Sequence, residues 1–116
     1  MQHEVLDLLT RVRVPTMMTG GQMLGEAVEI ARAELKVHSF IRLSEIESEI
    51  ADRYGINAKT VDQNLRRALN VAEFRSGRYP NVALMSLMDR YGFDVATPKK
   101  FVYAAAREVI ENEGSY

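Results

Sequence analysis

Ile50-Ala51-Asp52-Arg53-Tyr54-Gly55-Ile56-Asn57-Ala58-Lys59-Thr60-Val61 is the stretch on which the reading of this chain depends. Ala51 offers a small contact where two helices can cross closely. Gly55, four residues later, can adopt the left-handed conformation that ends a helix and turns the chain. Ile56 is expected to tuck under the turn, and Asn57 to cap the following helix through its side-chain oxygen. Val61 then packs the second helix back on the first. The spacing is that of a helix-turn-helix, a unit that leaves the outer face of its second helix uncovered. Asn64 stands where an apolar residue is common, and Leu65 takes the core role one residue later.

Working outward, the periodicity predicts helices on both sides. A first helix is expected from about Gln2 to Val12, with Val5, Leu8, Leu9 and Val12 at helical spacing. Val14-Pro15 breaks it, and Gly20-Gly21 reads as a second flexible point. The next helix is expected from Gln22 to about Leu35, burying Leu24, Ala27, Val28, Ala31 and Leu35. Val37 to Ile41 reads equally as a loop or as a first helical turn. Ser44-Glu45-Ile46-Glu47 has the form of a capping box, opening a helix that ends at Tyr54-Gly55. The helix after the turn runs from about Ala58 to Phe74 on an inner stripe of Val61, Leu65, Ala68, Leu69 and Ala72. Ser76 to Pro80 interrupts, a short helix follows from Val82 to Arg90, and Thr97-Pro98 opens a last one running to about Glu111. No segment alternates as a strand would. The expected architecture is a single all-α domain of about six helices.

Composition narrows the classes of function. The chain has 116 residues, enough for one core, and 47% hydrophobic with 27% charged residues is the balance of an ordinary globular domain. The absence of cysteine excludes a disulfide scaffold, a thiolate metal site and a cysteine nucleophile. No apolar run approaches the ~20 residues that span a bilayer, and Met1-Gln2-His3-Glu4 has neither the basic nor the apolar region of a secretory leader. A cytoplasmic protein without membrane contact is expected. His3 and His38 lie near a terminus and in a connection; Glu45, Glu47 and Glu49 alternate along one helix and do not share a face. Gly20-Gly21 lacks the strand that a phosphate-binding loop requires. No catalytic centre, metal or cofactor is expected. Met17, Met18, Met23, Met85 and Met88 read as core filler, with Met85 and Met88 also suited to an adaptable docking surface.

The net charge of −1 hides an uneven distribution. Residues 1–52 hold five Lys/Arg against nine Asp/Glu, whereas residues 53–100 hold nine against four, a net of +5. That positive segment contains the helix after the glycine turn. Polyanion attraction depends on the local charge of one face, so the overall balance is a weak objection to nucleic acid. Away from its apolar stripe this helix carries Lys59, Thr60, Asp62, Gln63, Arg66, Arg67, Asn70 and Glu73. Thr60, Gln63, Arg66 or Arg67, and Asn70 advance by three or four and share an exposed face. Gln suits adenine, Arg suits guanine, and a short acid can accept from cytosine in the major groove of double-stranded DNA. Lys59 and Thr60, in the first turn, suit a phosphate. An ordinary solvated helix also presents such a face; the turn and the local charge favour DNA.

The chain also resembles the C-terminal DNA-binding effector domain of the sporulation master response regulator of endospore-forming bacteria, from about Leu6 to Ile110. The resemblance rests on Val14-Pro15, Gly20-Gly21 and Leu24-Gly25-Glu26-Ala27-Val28; on Glu49 to Tyr54; on Val61 to Ala72; and on Tyr91 to Val95 and Pro98-Lys99-Lys100-Phe101, all in order. It implies a six-helix fold, a short DNA box read in the major groove, and tandem or homodimeric association on DNA. It also implies docking of the primary RNA polymerase sigma factor around Ala83 to Tyr91. Arg66 is retained from the family's reading helix and Asp62 is a shortened glutamate, whereas Thr60 and Gln63 replace two arginines. Lys99 and Lys100 stand in for a lysine-bearing loop that is shorter here. These departures imply a different DNA word or weaker binding. The match begins within the first ten residues, so an effector without its receiver domain is expected.

Two functions therefore follow. The first is sequence-specific DNA binding in transcription regulation, with Thr60, Asp62, Gln63, Arg66, Arg67 and Asn70 on bases or phosphates and Lys59, Lys99 and Lys100 on the backbone. The second is a protein-interaction module of the same fold, suggested by the acidic first half, the missing arginines and the apolar Met85-Ser86-Leu87-Met88 stretch.

Overall fold

The chain forms six helices and, among the described residues, no strand. The structure is a computed structural model that describes residues 1–77 and 79–113; Arg78, within the expected interruption after the fourth helix, lies outside them. The helices are α1 (His3–Arg11), α2 (Thr19–Leu35), α3 (Leu43–Tyr54), α4 (Ala58–Phe74), α5 (Val82–Arg90) and α6 (Pro98–Glu113). The radius of gyration is 13.1 Å, as expected for one folded domain of this length.

α2 is the central element and packs against α1, α3, α4 and α6. Its apolar residues Met23, Leu24, Ala27, Val28 and Ala31 are buried, and they meet Leu9, Ile50, Leu65 and Phe101 in one core. The expected inner stripe of α4 is buried at all five positions. α6, opened by Thr97-Pro98, closes the other side of α2 with Phe101, Val102 and three consecutive alanines, Ala104 to Ala106. Small residues let the two backbones approach, and the apolar surface so removed from water is the main favourable contribution to folding.

Gly20 and Gly21 are not a flexible point. Both are buried within the first turn of α2, which starts three residues earlier than Gln22. A Cβ on Gly20 would collide with the backbone carbonyl oxygen of Asn64 on α4, and one on Gly21 with the carbonyl oxygen of Pro15. Glycine is required here by close approach. The expected capping box is also absent: α3 begins at Leu43 behind Arg42, which makes no side-chain cap, so Ser44 lies inside the first turn and Glu47 is buried instead of reaching back. Val37 to Ile41 belongs to the connection between α2 and α3. Met17 is 95% exposed and Met85 53% exposed, so neither fills the core, although Met23 and Met88 do.

Asn81, which opens α5, is a buried tie. Its side-chain amide donates to the carbonyls of Val12 (2.9 Å) and Ala72 (2.8 Å), while its oxygen accepts from the Leu84 amide (3.1 Å). One side chain thereby joins the end of α1, the last part of α4 and the start of α5.

Alanine normally stabilises a helix over glycine by ~1 kcal/mol. Gly20→Ala should do the reverse, destabilising by about 3 kcal/mol because a backbone carbonyl cannot move aside. A drop of about 10 °C in Tm by calorimetry is the expected reading; an increase would show that α2 and α4 do not cross closely at this glycine.

Candidate nucleic-acid interface

The α3–α4 corner is built as the sequence dictates. Gly55 has φ 66° and ψ 34°, the left-handed conformation that lets α3 stop, and the Ile56 amide returns to the Ala51 carbonyl at 3.1 Å. Asn57 caps α4: its side-chain oxygen accepts from the Thr60 amide at 2.8 Å and from the Thr60 hydroxyl at 2.9 Å. Ala51 and Val61 are buried where the two helices meet. Ile56 is a correction, because its side chain is more than a third exposed rather than tucked under the turn. Three residues thus separate α3 from α4, and the inner row of α4 is buried, with α2, α3 and α6 packed against the helix.

The outer face of α4 carries Lys59, Gln63, Arg66, Arg67 and Asn70, all exposed. Among the described residues, the side chains of Lys59, Gln63, Arg67 and Asn70 make no hydrogen bond or ion pair with protein. Thr60 is half-buried and its hydroxyl proton is committed to the cap. Asp62 is placed differently from the rest. Its carboxylate accepts from Arg66 Nε at 2.7 Å and also lies within hydrogen-bond reach of Glu47 on α3. Lys99 and Lys100, at the start of α6, line a separate groove with Phe40, Arg42, Phe93 and Tyr103, and no residue of α4 contributes to it. The geometry therefore gathers Lys59, Gln63, Arg66, Arg67 and Asn70 into one surface, turns Asp62 toward α3, and sets the two lysines in another groove.

Glu47 is the site residue that sequence reasoning missed. It is 9% exposed, and burial first, then the hydrogen bond and charge of Asp62, push its carboxyl up to about 8. Asp62 is held below the usual carboxylate range, chiefly by its hydrogen bond with Glu47 and then by Arg66. The sequence signal was available: Glu47 falls on the same side of its helix as Ile46, Ile50 and Ala51, although the capping-box pattern offered a simpler role.

The face of α5 named for partner docking is less free than its sequence suggests. Leu84, Leu87 and Met88 are buried. Glu108 on α6, buried, accepts from Arg90 and from the Tyr91 hydroxyl (3.0 Å), with Arg11 at 3.5 Å. Burial alone would raise the Glu108 carboxyl, but these bonds and charges bring it below its ordinary value. The large apolar side chains that remain exposed there are Val82, Met85 and Tyr79, the last stacked on Phe74 at 5.7 Å between ring centroids. His38 lines a groove with Glu34, Glu45 and Glu49, yet its imidazole bonds to none of them among the described residues; it stands 6.0 Å from the Phe40 ring. No group of three or more His, Asp or Glu suited to a metal is found among the described residues, and no helix is long and apolar enough to cross a membrane.

No protein-family model matches the chain, and no curated protein or solved structure shows significant similarity to it.

The raised carboxyl of Glu47 makes stability depend on pH. Between its ordinary value of 4.5 and about 8, the folded chain keeps a proton that the unfolded chain has released. Its favourable contribution is fully present below 4.5 and is lost as pH rises through about 8. Glu47→Gln should match the native protein in Tm at acidic pH and exceed it on the alkaline side of this window. Parallel Tm profiles for the two proteins would contradict the buried-proton assignment. Asp62 and Glu108, whose values are lowered, act in the opposite sense and only in acid, losing their contribution as pH falls.

Proposed function

We propose that this chain is a sequence-specific double-stranded DNA-binding domain acting in transcription regulation, with α4 as its reading helix. The observation that carries the reading is the outer face of α4. It is an exposed row of amide and guanidinium side chains, of which Gln63, Arg67 and Asn70 have no protein partner among the described residues, on a helix whose opposite face is anchored in the core. Arg67 and Arg66 have the donors for guanine, Gln63 and Asn70 have the donor–acceptor pairs for adenine, and Lys59 sits at the helix N-terminus, where phosphate is favoured. The short glycine turn presents this face as a helix-turn-helix does. The resemblance to the sporulation regulator's effector domain points the same way, with tandem association on DNA. The replacement of two arginines by Thr60 and Gln63 favours a different word. Asp62, engaged by Glu47 and Arg66, acts as a support for Arg66 more than as a base reader, and Lys99 and Lys100 would meet the backbone only beyond the α4 footprint.

Selection from random duplexes followed by sequencing should enrich one motif, bound with a steep salt dependence. Lys59→Ala should weaken binding to all sequences and lower the salt slope by about one. Gln63→Ala should relax a single base position at a cost of about 1–3 kcal/mol. No enriched motif and no salt-dependent binding would refute the proposal.

A second reading, a protein-interaction module, is favoured by the exposed apolar side chains Phe74, Tyr79, Val82 and Met85 beside α5. A sigma factor is the partner that the resemblance suggests. Capture of purified sigma factor that Met85→Asp abolishes and the pair Arg66→Ala, Arg67→Ala leaves unchanged would support it; no capture would remove it.

A further inference from the structure

We infer that Glu47 is a positioning residue: from inside the α3–α4 contact it orients the Asp62 carboxylate and, through it, the Arg66 guanidinium on the outer face of α4. The inference deepens the DNA-reading proposal and takes its functional meaning from it.

Three polar or charged residues are buried among those described: Glu47, Asn81 and Glu108. The other two are well satisfied. Asn81 uses both ends of its amide, and Glu108 is answered by Arg90, Arg11 and Tyr91. Among the described residues, the Glu47 carboxyl has neither a basic partner in contact nor a backbone amide, and its Oε2 has no hydrogen-bond donor. The group it meets is another acid, Asp62. Two carboxylates cannot share such a place, because a buried, uncompensated charge costs several kcal/mol. A single proton resolves both problems. A neutral Glu47 carboxyl donates to Asp62, and Asp62 remains the charged member, answered from outside by Arg66. The charged groups that bear on Glu47 are Asp62 and Arg66, both from α4. α2, the other helix packed on α3, contributes none; its Glu26 instead accepts from Tyr54 at the end of α3, at 3.2 Å.

The consequence lies in how Arg66 is held. Asp62 is gripped on its inner side and takes Arg66 by Nε at 2.7 Å. The two terminal nitrogens have no protein partner among the described residues. These are the paired donors that a guanine edge requires. Without the inner grip, Asp62 would be an ordinary i,i+4 partner, worth only a few tenths of a kcal/mol, and Arg66 would sample many directions. Loss of the proton also adds one negative charge directly behind the reading face.

The test uses the full chain. Carbon-detected NMR of the Arg66 Nε–Cζ pair, assigned by its loss in Arg66→Lys, is followed from pH 6 to 9. In the native protein this signal should titrate on the alkaline side of neutrality. It should stay flat in Glu47→Gln, which mimics the neutral acid, and collapse to that of a solvent-exposed arginine in Asp62→Asn. An Arg66 signal indifferent to pH in the native protein, or titrating equally in Glu47→Gln, overturns the inference. On a selected duplex, native affinity should fall about fivefold from pH 6.5 to 8.5 while Glu47→Gln stays flat. Duplex binding with parallel pH profiles overturns the positioning role and leaves DNA reading intact. An Arg66 titration without binding to any duplex supports the positioning role and refutes DNA reading.

Discussion

The close crossing of α2 over α4 at Gly20 is the constraint from which the rest of the molecule follows. With no Cβ at Gly20, the Asn64 carbonyl and Ala68 come directly against the α2 backbone. That contact fixes the rotation of α4 about its own axis. Val61, Leu65, Ala68, Leu69 and Ala72 then point inward, and Lys59, Gln63, Arg67 and Asn70 must point outward. Asn57 and Gly55 determine where α4 begins, but α2 determines which of its faces is seen. A reading surface needs this kind of support, because side chains discriminate between bases only when their backbone is held rigidly.

The polar interior divides into supports of two kinds. Asn81 and Glu108 bind separate helices together with both ends of the amide and both carboxylate oxygens engaged, and so resemble the core in purpose. Glu47, buried at the α3–α4 boundary with its carboxyl held above its ordinary value, and Asp62, bonded to the exposed Arg66, form the second kind. Buried polar groups of the first kind specify a unique fold. One of the second kind would couple the fold to a side chain of the proposed reading face, by chemistry that changes with solution conditions.

Much of this was legible in the sequence, for physical reasons that differ by element. α4 was readable throughout because one amphipathic stripe, one side-chain cap and one left-handed glycine all agree on its limits. α6 was readable from Thr97-Pro98 for the same reason. Gly20-Gly21 was misread because a glycine pair means either freedom or close approach, and only the partner at Asn64 decides between them. Ser44 to Glu47 was misread because the same letters serve as a cap or as a first turn with a buried acid. Ile56 could not be placed without knowing how far the turn stands from the core. Among the candidate site residues, the α4 row came together as the helical period required. The setting of Asp62 depended on Glu47, a neighbour fifteen positions away across a helix contact. The separation of Lys99 and Lys100 from α4 depended on the path of α6, which no local pattern encodes.

The central claim is that the outer face of α4 is the surface that meets DNA. Backbone amide NMR of the full chain, titrated with a mixed-sequence duplex at low ionic strength, tests it most directly. The account predicts graded shifts concentrated from Asn57 to Asn70, reversed by added salt, with α5 unaffected. Shifts centred on Val82 and Met85 instead, or none at all, would contradict it.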